Sequence, residues 1–484
     1  MKEMKESILL QVQSRLIGVA DMIYQPLQIG PLHCTLLYIQ SIVDTQIMRE
    51  AIVKPLLEQV SRNEVGPDFI TQVVSGTFFS LENQHRDSAE TLVDDIVTGN
   101  AALYIKGMSS MIIFSIQNYQ KRSVPESTNE VVVVGPQEAF IEDINVNMSL
   151  LRHKIKHPDF KMIKFTIGKY TKTEVFVIYI QGLCKPDILE NVLTSLGEID
   201  MDSSLGVSYL SEFLEDHPLS PFPQYQYTER PDTVAAALVE GRIGVMQDGT
   251  PFSLLIPVTF FSLMQSSEDY YQRFHSASFI RIIRLLFAVI AFLLPSIYVA
   301  VTTFHPEIIP TNLLITIASA RENIPFPALI EALIMEITFE GLREAGIRIP
   351  KPLGQTVSII GGIVIGQAAV QAGIVSAPLV IVVSITGIAA FIIPHFELGL
   401  AFRLLRFPVL LMGGTLGLFG VVISIYLLYW YMVSMRSFGV PYMQPFAPLI
   451  LRDFKDTFIR VPWFMMKKRT KAYATDNERR QDTP

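Results

Sequence analysis

Two patterns of apolar and polar positions divide the chain. Up to about residue 257, short runs of β-branched and aromatic residues alternate with stretches whose apolar residues recur every three or four positions, the pattern of strands interleaved with amphipathic helices. Beyond residue 282 apolar residues run on with few interruptions, as in helices surrounded by lipid. In the first part His33 to Gln40 reads as a strand, Thr45 to Glu58 and Asp87 to Thr98 as helices, and Ala101 to Lys106 and Met111 to Gln117 as strands. A polar stretch at 121–130 reads as a linker. A second unit, residues 131–257, is expected to hold a helix from Pro136 to His157, strands at Lys161 to Ile167 and Glu174 to Ile180, and a helix from Pro186 to Leu196. Asp248-Gly249 then marks a tight hairpin.

The expected fold is therefore multi-domain: two cytoplasmic α/β units, 1–120 and 131–257, followed by an all-α polytopic membrane domain. Residues 258–281, with Tyr270, Tyr271, Arg273 and Arg281, suit a segment approaching a membrane from the cytoplasm. Within 282–434 the expected spans are Ile282 to Phe304, Leu353 to Gly373, Ala377 to Pro394 and Phe407 to Ser434. Residues 308–346 read equally as spanning, re-entrant or interfacial.

Composition sharpens this division. Half of the 484 residues are hydrophobic and 18% are charged, which excludes a simple soluble enzyme. No residue between Lys351 and Glu397 is charged, about twice the length one membrane helix of about 20 residues needs. Residues 1–281 carry 22 basic and 34 acidic side chains, and 435–484 carry 10 and 5. The basic tail is expected on the cytoplasmic side with the first units, which requires an even number of crossings. Arg343, Arg348, Lys351, Arg403 and Arg406 oppose a four-crossing arrangement, so the count stays open between four and six. The apolar stretch after Glu6 is broken by Gln11, Gln13 and Arg15, unlike a signal peptide.

The chemistry of a catalyst is missing from the sequence. No phosphate loop, GxGxxG, HExxH or GxSxG occurs. His153 and His157 lie four apart in a basic surface stretch without further ligands, so neither a metal nor another cofactor is expected. The acidic first 281 residues disfavour nucleic acid. Cys34 and Cys184, far apart and without CxxC spacing, read as reduced, buried thiols.

The apolar part offers more. Gly362 and Gly366 form a GxxxG pair, and Gln367 and Gln371 share one helical face. Those amides suit either a packing seam or the wall of an aqueous path in an oligomer. Glu336, Glu340 and Glu344 also share a face, and repeated around an oligomer they would form carboxylate rings that attract cations; the plainer reading is an acidic stripe in water. Pro325, Pro327 and Pro350 bracket that segment as hinge-like ends. Gly413, Gly414, Gly417 and Gly420 read as packing positions.

Eight blocks carry a family resemblance. Pro218 to Gln224, Tyr227 to Asp232, Leu238 to Arg242, Asp248 to Phe252, Ser267 to Tyr271, Arg343 to Pro350, Gly366 to Gly373 and Arg403 to Pro408 resemble the GerA family of spore-germination receptor A subunits. The resemblance implies a nutrient-receptor subunit in the inner membrane of a dormant spore, associated with a permease-like B subunit, a lipoprotein C subunit and copies of itself. It implies an oligomer that forms or gates an ion path, and no catalytic residues. Pro221, Pro223, Glu229, Arg230 and Pro231 are then expected to couple the second soluble unit to the membrane helices. An accessory subunit of the calcium-dipicolinate release channel is the alternative. A secondary transporter is disfavoured because no internal repeat with broken helices is evident.

Overall fold

Residues 8–62, 66–118, 127, 130–348, 366–473 and 477–481 are described by the computed structural model. The chain forms two compact units. The first contains Met1–Glu215, Tyr227–Pro257 and Lys467–Pro484, and the second contains Asp216–Gln226 and Val258–Met466.

In the first unit the helix Ile8–Arg15 precedes the hairpin β1 (Met22–Ile29) and β2 (Leu32–Ile39). A helical run at 45–61 and the helix Pro67–Ser75 lead to β3 (Asn83–Arg86), and the helix Ala89–Val97 leads to β4 (Ala101–Ile105) and β5 (Met111–Phe114). The strands order as β1-β2-β4-β5-β3. Alternation of side chains along a strand sends Cys34, Leu36 and Tyr38 to one face and Leu37 and Ile39 to the other. The first face packs against Met48, Ile52, Leu56, Phe69 and Val73. The second packs against Val12, Leu92, Val93 and Ile96. Burial on both faces explains why these strands read as continuous apolar runs.

The same plan is then repeated. The helix Ile144–Lys154 precedes the hairpin β6 (Phe160–Ile167) and β7 (Thr173–Ile180). The helices Pro186–Gly197 and Val207–Leu214 lead to β8 (Gln226–Thr228), and the helix Pro231–Val239 leads to β9 (Ile243–Gln247) and β10 (Ser253–Ile256). The order β6-β7-β9-β10-β8 matches the first sheet position for position. Each half is helix, hairpin, helices, edge strand, helix, hairpin. The two halves meet through Arg152, which is buried and donates to Asp21 Oδ1 at 2.7 Å.

Three expectations shift here. The helix expected from Pro136 begins only at Ile144, because the preceding residues are held extended: Phe140 N donates to Glu229 O, and the Asn147 amide brackets Ile141 through both its oxygen and its nitrogen. Asp143 then caps the helix by accepting from Asn145 N. The Asp248-Gly249 hairpin forms, but with Met246 opposite Ser253 its loop is longer than a two-residue turn. The expected tail at 435–484 divides: up to Met466 it belongs to the second unit, and the described residues 467–473 and 477–481 belong to the first. Arg469 Nε donates to Val239 O at 2.8 Å and Lys185 Nζ to Ala472 O at 2.8 Å.

The second unit is helical: Phe274–Phe304, Thr311–Arg321, Ala328–Arg348, Ala377–Ala390 and Phe396–Ser434. Residues 366–371 are also helical and end in a turn at Ala372-Gly373; residues 353–365 of the expected span at 353–373 lie outside the described residues. Phe274–Phe304 and Phe396–Ser434 are long and apolar enough to cross a membrane. Ala377–Ala390, at 14 residues, extends about 21 Å, less than the ~30 Å hydrocarbon core.

The expected single span from Phe407 to Ser434 takes a different form. Gly417 has φ 64° and ψ −149° inside the Phe396–Ser434 segment, a conformation open to glycine, and the segment doubles back there. The Phe402 and Tyr431 rings lie 6.2 and 6.4 Å from the Phe222 ring, whereas 29 residues of straight helix would separate them by about 43 Å. Phe222 is thereby buried between the two arms of a helical hairpin.

Candidate functional site

An ionised side chain among apolar helices is costly unless paired, so the charged residues of the second unit mark where sequence and environment conflict. The Ala328–Arg348 helix carries four carboxylates, Glu331 on one side and Glu336, Glu340 and Glu344 on another. Glu331 is fully buried; its Oε1 accepts from Ser376 N at 2.5 Å and from Ser376 Oγ, and Arg321 Nε lies 3.4 Å from its Oε2. Glu336 accepts from Arg406 Nη1 at 2.6 Å, both side chains being almost wholly buried. Glu340 lies between Arg403 Nη1 at 3.2 Å and Arg343 Nη1 at 3.3 Å. Glu344 is exposed and accepts from Arg348 Nε at 2.9 Å.

The expected acidic stripe is thus graded. It is buried and neutralised at Glu336, half-buried at Glu340 and solvated at Glu344. Arg343 and Arg348 on the same helix serve Glu340 and Glu344, whereas Arg406 and Arg403 reach Glu336 and Glu340 from the first arm of the Phe396–Ser434 hairpin, where their three-residue spacing puts them on one helical face.

The other residues singled out by sequence fall elsewhere. Gly366 is buried, where an added Cβ would meet Val380 Cγ1 at an ordinary 3.5 Å, and Gln367 and Gln371 are exposed. Gly362 and Pro350 lie outside the described residues. Pro325 and Pro327 are exposed just before the Ala328–Arg348 helix, and Pro327 O accepts from Glu331 N.

The proline-rich block divides between the units. Pro221 and Pro223 flank the buried Phe222 in the second unit, where the Gln224 side chain closes the loop by bonding both His217 N and His217 O. Glu229, Arg230 and Pro231 lie in the first unit. Pro231 opens the Pro231–Val239 helix, where a missing N–H costs nothing. The fully buried Arg230 donates to Glu130 O, Pro136 O and Asp232 Oδ2. Glu229 Oε1 accepts from Ser127 Oγ and Glu130 N, and the Thr228 hydroxyl donates to Glu130 Oε2 at 2.6 Å. Burial pushes Glu130 up to about 7; Glu229 adds to this, and the Thr228 hydroxyl and Arg230 oppose it.

One cluster escaped the sequence reading. Asp269, buried, accepts from Arg284 Nη1 and Nη2 at 2.9 and 3.0 Å and from Arg281 Nε at 2.9 Å. Arg281 Nη1 also donates to Asp456 Oδ1 at 2.9 Å, and Tyr270 Oη to Asp456 Oδ2 at 2.9 Å. Burial would raise the Asp269 carboxyl, but the paired contact from Arg284 and the Arg281 charge hold it below its ordinary range. Arg281 was visible as a basic residue ahead of an apolar run. Asp456, about 175 residues later, carried no local signal.

A family model described as Bacillus/Clostridium GerA spore germination protein matches residues 11–472. The Bacillus subtilis (strain 168) protein named uncharacterized membrane protein YfkQ is 44% identical over 95% of this chain and 89% of its own length. Spore germination protein KA of the same organism is 40% identical over 96% of this chain and 85% of its own. Spore germination protein GerLA of Bacillus cereus is 36% identical over 91% and 89%. The crystal structure of the N-terminal domain of the A subunit of the Bacillus megaterium spore germinant receptor GerK3 aligns with 52% of this chain and 94% of that one, at 26% identity and a TM-score of 0.40.

Proposed function

The chain belongs to the Bacillus/Clostridium GerA spore germination family, and from that premise we propose that it is the A subunit of a germinant receptor in the spore inner membrane. It works there with a permease-like B subunit and a lipoprotein C subunit, and it oligomerises so that its helical unit forms or gates an ion path. Connectivity supports a same-side topology. The chain leaves the first unit after Pro257 and re-enters it at Lys467, so a helical unit that crosses a membrane does so an even number of times.

The Glu336–Arg406 pair carries the gating reading. A carboxylate aimed into an ion path would stand open to water, whereas here it is neutralised by the neighbouring hairpin, an arrangement suited to a closed state. Nutrient binding on a partner would shift the equilibrium only through its different affinity for closed and open forms. Movement of the Ala328–Arg348 helix about Pro325 and Pro327 would separate Glu336 and Glu340 from Arg406 and Arg403. The exposed Gln367 and Gln371 suit the face toward water or a second copy, with Gly366 packed inward. Pro221 and Pro223, holding Phe222 in the hairpin, and the Glu229-Arg230-Pro231 corner would transmit movement along the chain.

The test is nutrient-triggered cation release from spores carrying R406Q or E336Q at normal protein level. Spontaneous or accelerated release is expected, because the pair that holds the closed form is broken. Unchanged release in both variants, and in Gly366→Leu and Gln367→Leu, would leave the helical unit as scaffold.

A further inference from the structure

We propose that Arg343, Arg403 and Arg406 form a binding site for an oxyanion, a phosphate group being the best fit, within the helical unit. Three guanidiniums from two helices face two carboxylates, Glu336 and Glu340. Among the described residues no further acidic side chain pairs with them, so the cluster keeps one uncompensated positive charge. That is an unfavourable state for a buried group.

The geometry of the leftover donors defines the ligand. Arg406 uses Nη1 on Glu336 and Arg343 uses Nη1 on Glu340. In both, Nε and Nη2 are buried without a partner, although the side chains are only 2% and 10% exposed. Nε–H and Nη2–H form the parallel edge of a guanidinium that grips two oxygens of one anion. Two such edges are open in one cluster. Glu336 Oε1 is also buried without a partner, and a singly protonated phosphate offers it a hydroxyl donor while its remaining oxygens take the guanidinium edges.

Aromatic rings keep the arginines in place. Arg343 lies over Phe339 and Phe391 at 5.3 and 4.9 Å, and Arg403 over Phe396 at 5.5 Å, contacts that favour the cation without consuming its N–H groups. Glu340, 27% exposed, marks the open side of the cluster. The site requires no ion path, and its test is a binding measurement independent of germination.

The experiment uses the full chain purified in a neutral detergent, with its unfolding midpoint followed as sodium phosphate replaces sodium chloride at fixed ionic strength. A saturable rise is expected in wild type and in R348Q, whose arginine lies outside the cluster, and its loss in R343Q. E340Q removes a competing carboxylate and should lower the half-saturating phosphate concentration at least threefold. A parallel series compares phosphatidylcholine vesicles with and without phosphatidylglycerol. A rise with phosphatidylglycerol alone assigns the site to a lipid headgroup, and a rise with inorganic phosphate to a soluble ligand. No rise with either, or a rise undiminished in R343Q, overturns the proposal. Should R343Q fail to fold, an unchanged half-saturation in E340Q overturns it.

Discussion

Gly420 and Met412 stand eight residues apart in one helical segment, yet a side chain on Gly420 would overlap the Met412 carbonyl oxygen. The arms of the hairpin touch backbone to backbone, with Gly417 at the bend. Gly420→Val should therefore lower stability by about 1–3 kcal/mol, read as a drop in the unfolding midpoint of the detergent-solubilised protein. Gly399, on the same segment with nothing within 4 Å of an added Cβ, is the control. Gly399→Ala should be neutral or stabilising by up to about 1 kcal/mol.

The Glu336–Arg406 pair makes a second prediction. Removing the carboxylate leaves Arg406 buried and unpaired, so E336L alone should cost about 3–5 kcal/mol, and the double change E336L/R406L should recover most of that loss. Chemical unfolding of the three proteins in one detergent would show it. Equal losses in the single and double variants would count against the pairing.

Glu130 makes stability depend on pH in a defined direction. Its carboxyl holds its proton up to about pH 7 in the folded chain and to about 4.3 in the unfolded chain. The folded state thus binds more protons between those limits, and the contribution to stability is full below about pH 4.3 and falls as pH rises through about 7. The span corresponds to at most about 4 kcal/mol. E130Q should flatten this part of the profile, measured as the denaturant midpoint between pH 4.5 and 7.5.

Both cysteines are buried and free, with Cys34 pushed up to about 11 and Cys184 to about 12 by burial. At pH 7.5 neither offers an accessible thiolate. Intact-mass analysis should find almost no maleimide adduct on the native protein and two after denaturation. Rapid labelling of the native protein would contradict the packing.

Much of the first unit was legible because its strands are runs of apolar residues between turn residues. Leu32–Ile39, Ala101–Ile105 and Pro186–Gly197 lie within a residue or two of their expected bounds. β1 was missed because Met22–Ile29 contains Gln25, Pro26 and Gln28, and its outer edge tolerates them. The repeated strand order left no trace in the sequence, since it rests on burial and pairing and not on shared residues. Of the site, the glutamates were conspicuous, but their partners on the other helix, Arg403 and Arg406, were not. A charge on one helix does not announce which arginine on another will meet it, and hydropathy gives no sign that the chain reverses at Gly417.

The return of residues 467–473 to the first unit also bears on how the chain is made. Arg469 and Lys185 complete contacts between segments whose synthesis is separated by the entire helical unit. At about 5–20 residues per second, some 200 residues of the second unit leave the ribosome before the last piece of the first unit exists. Those helices therefore leave the ribosome while that unit still lacks part of its structure, and its final closure has to wait until the whole helical segment has been made.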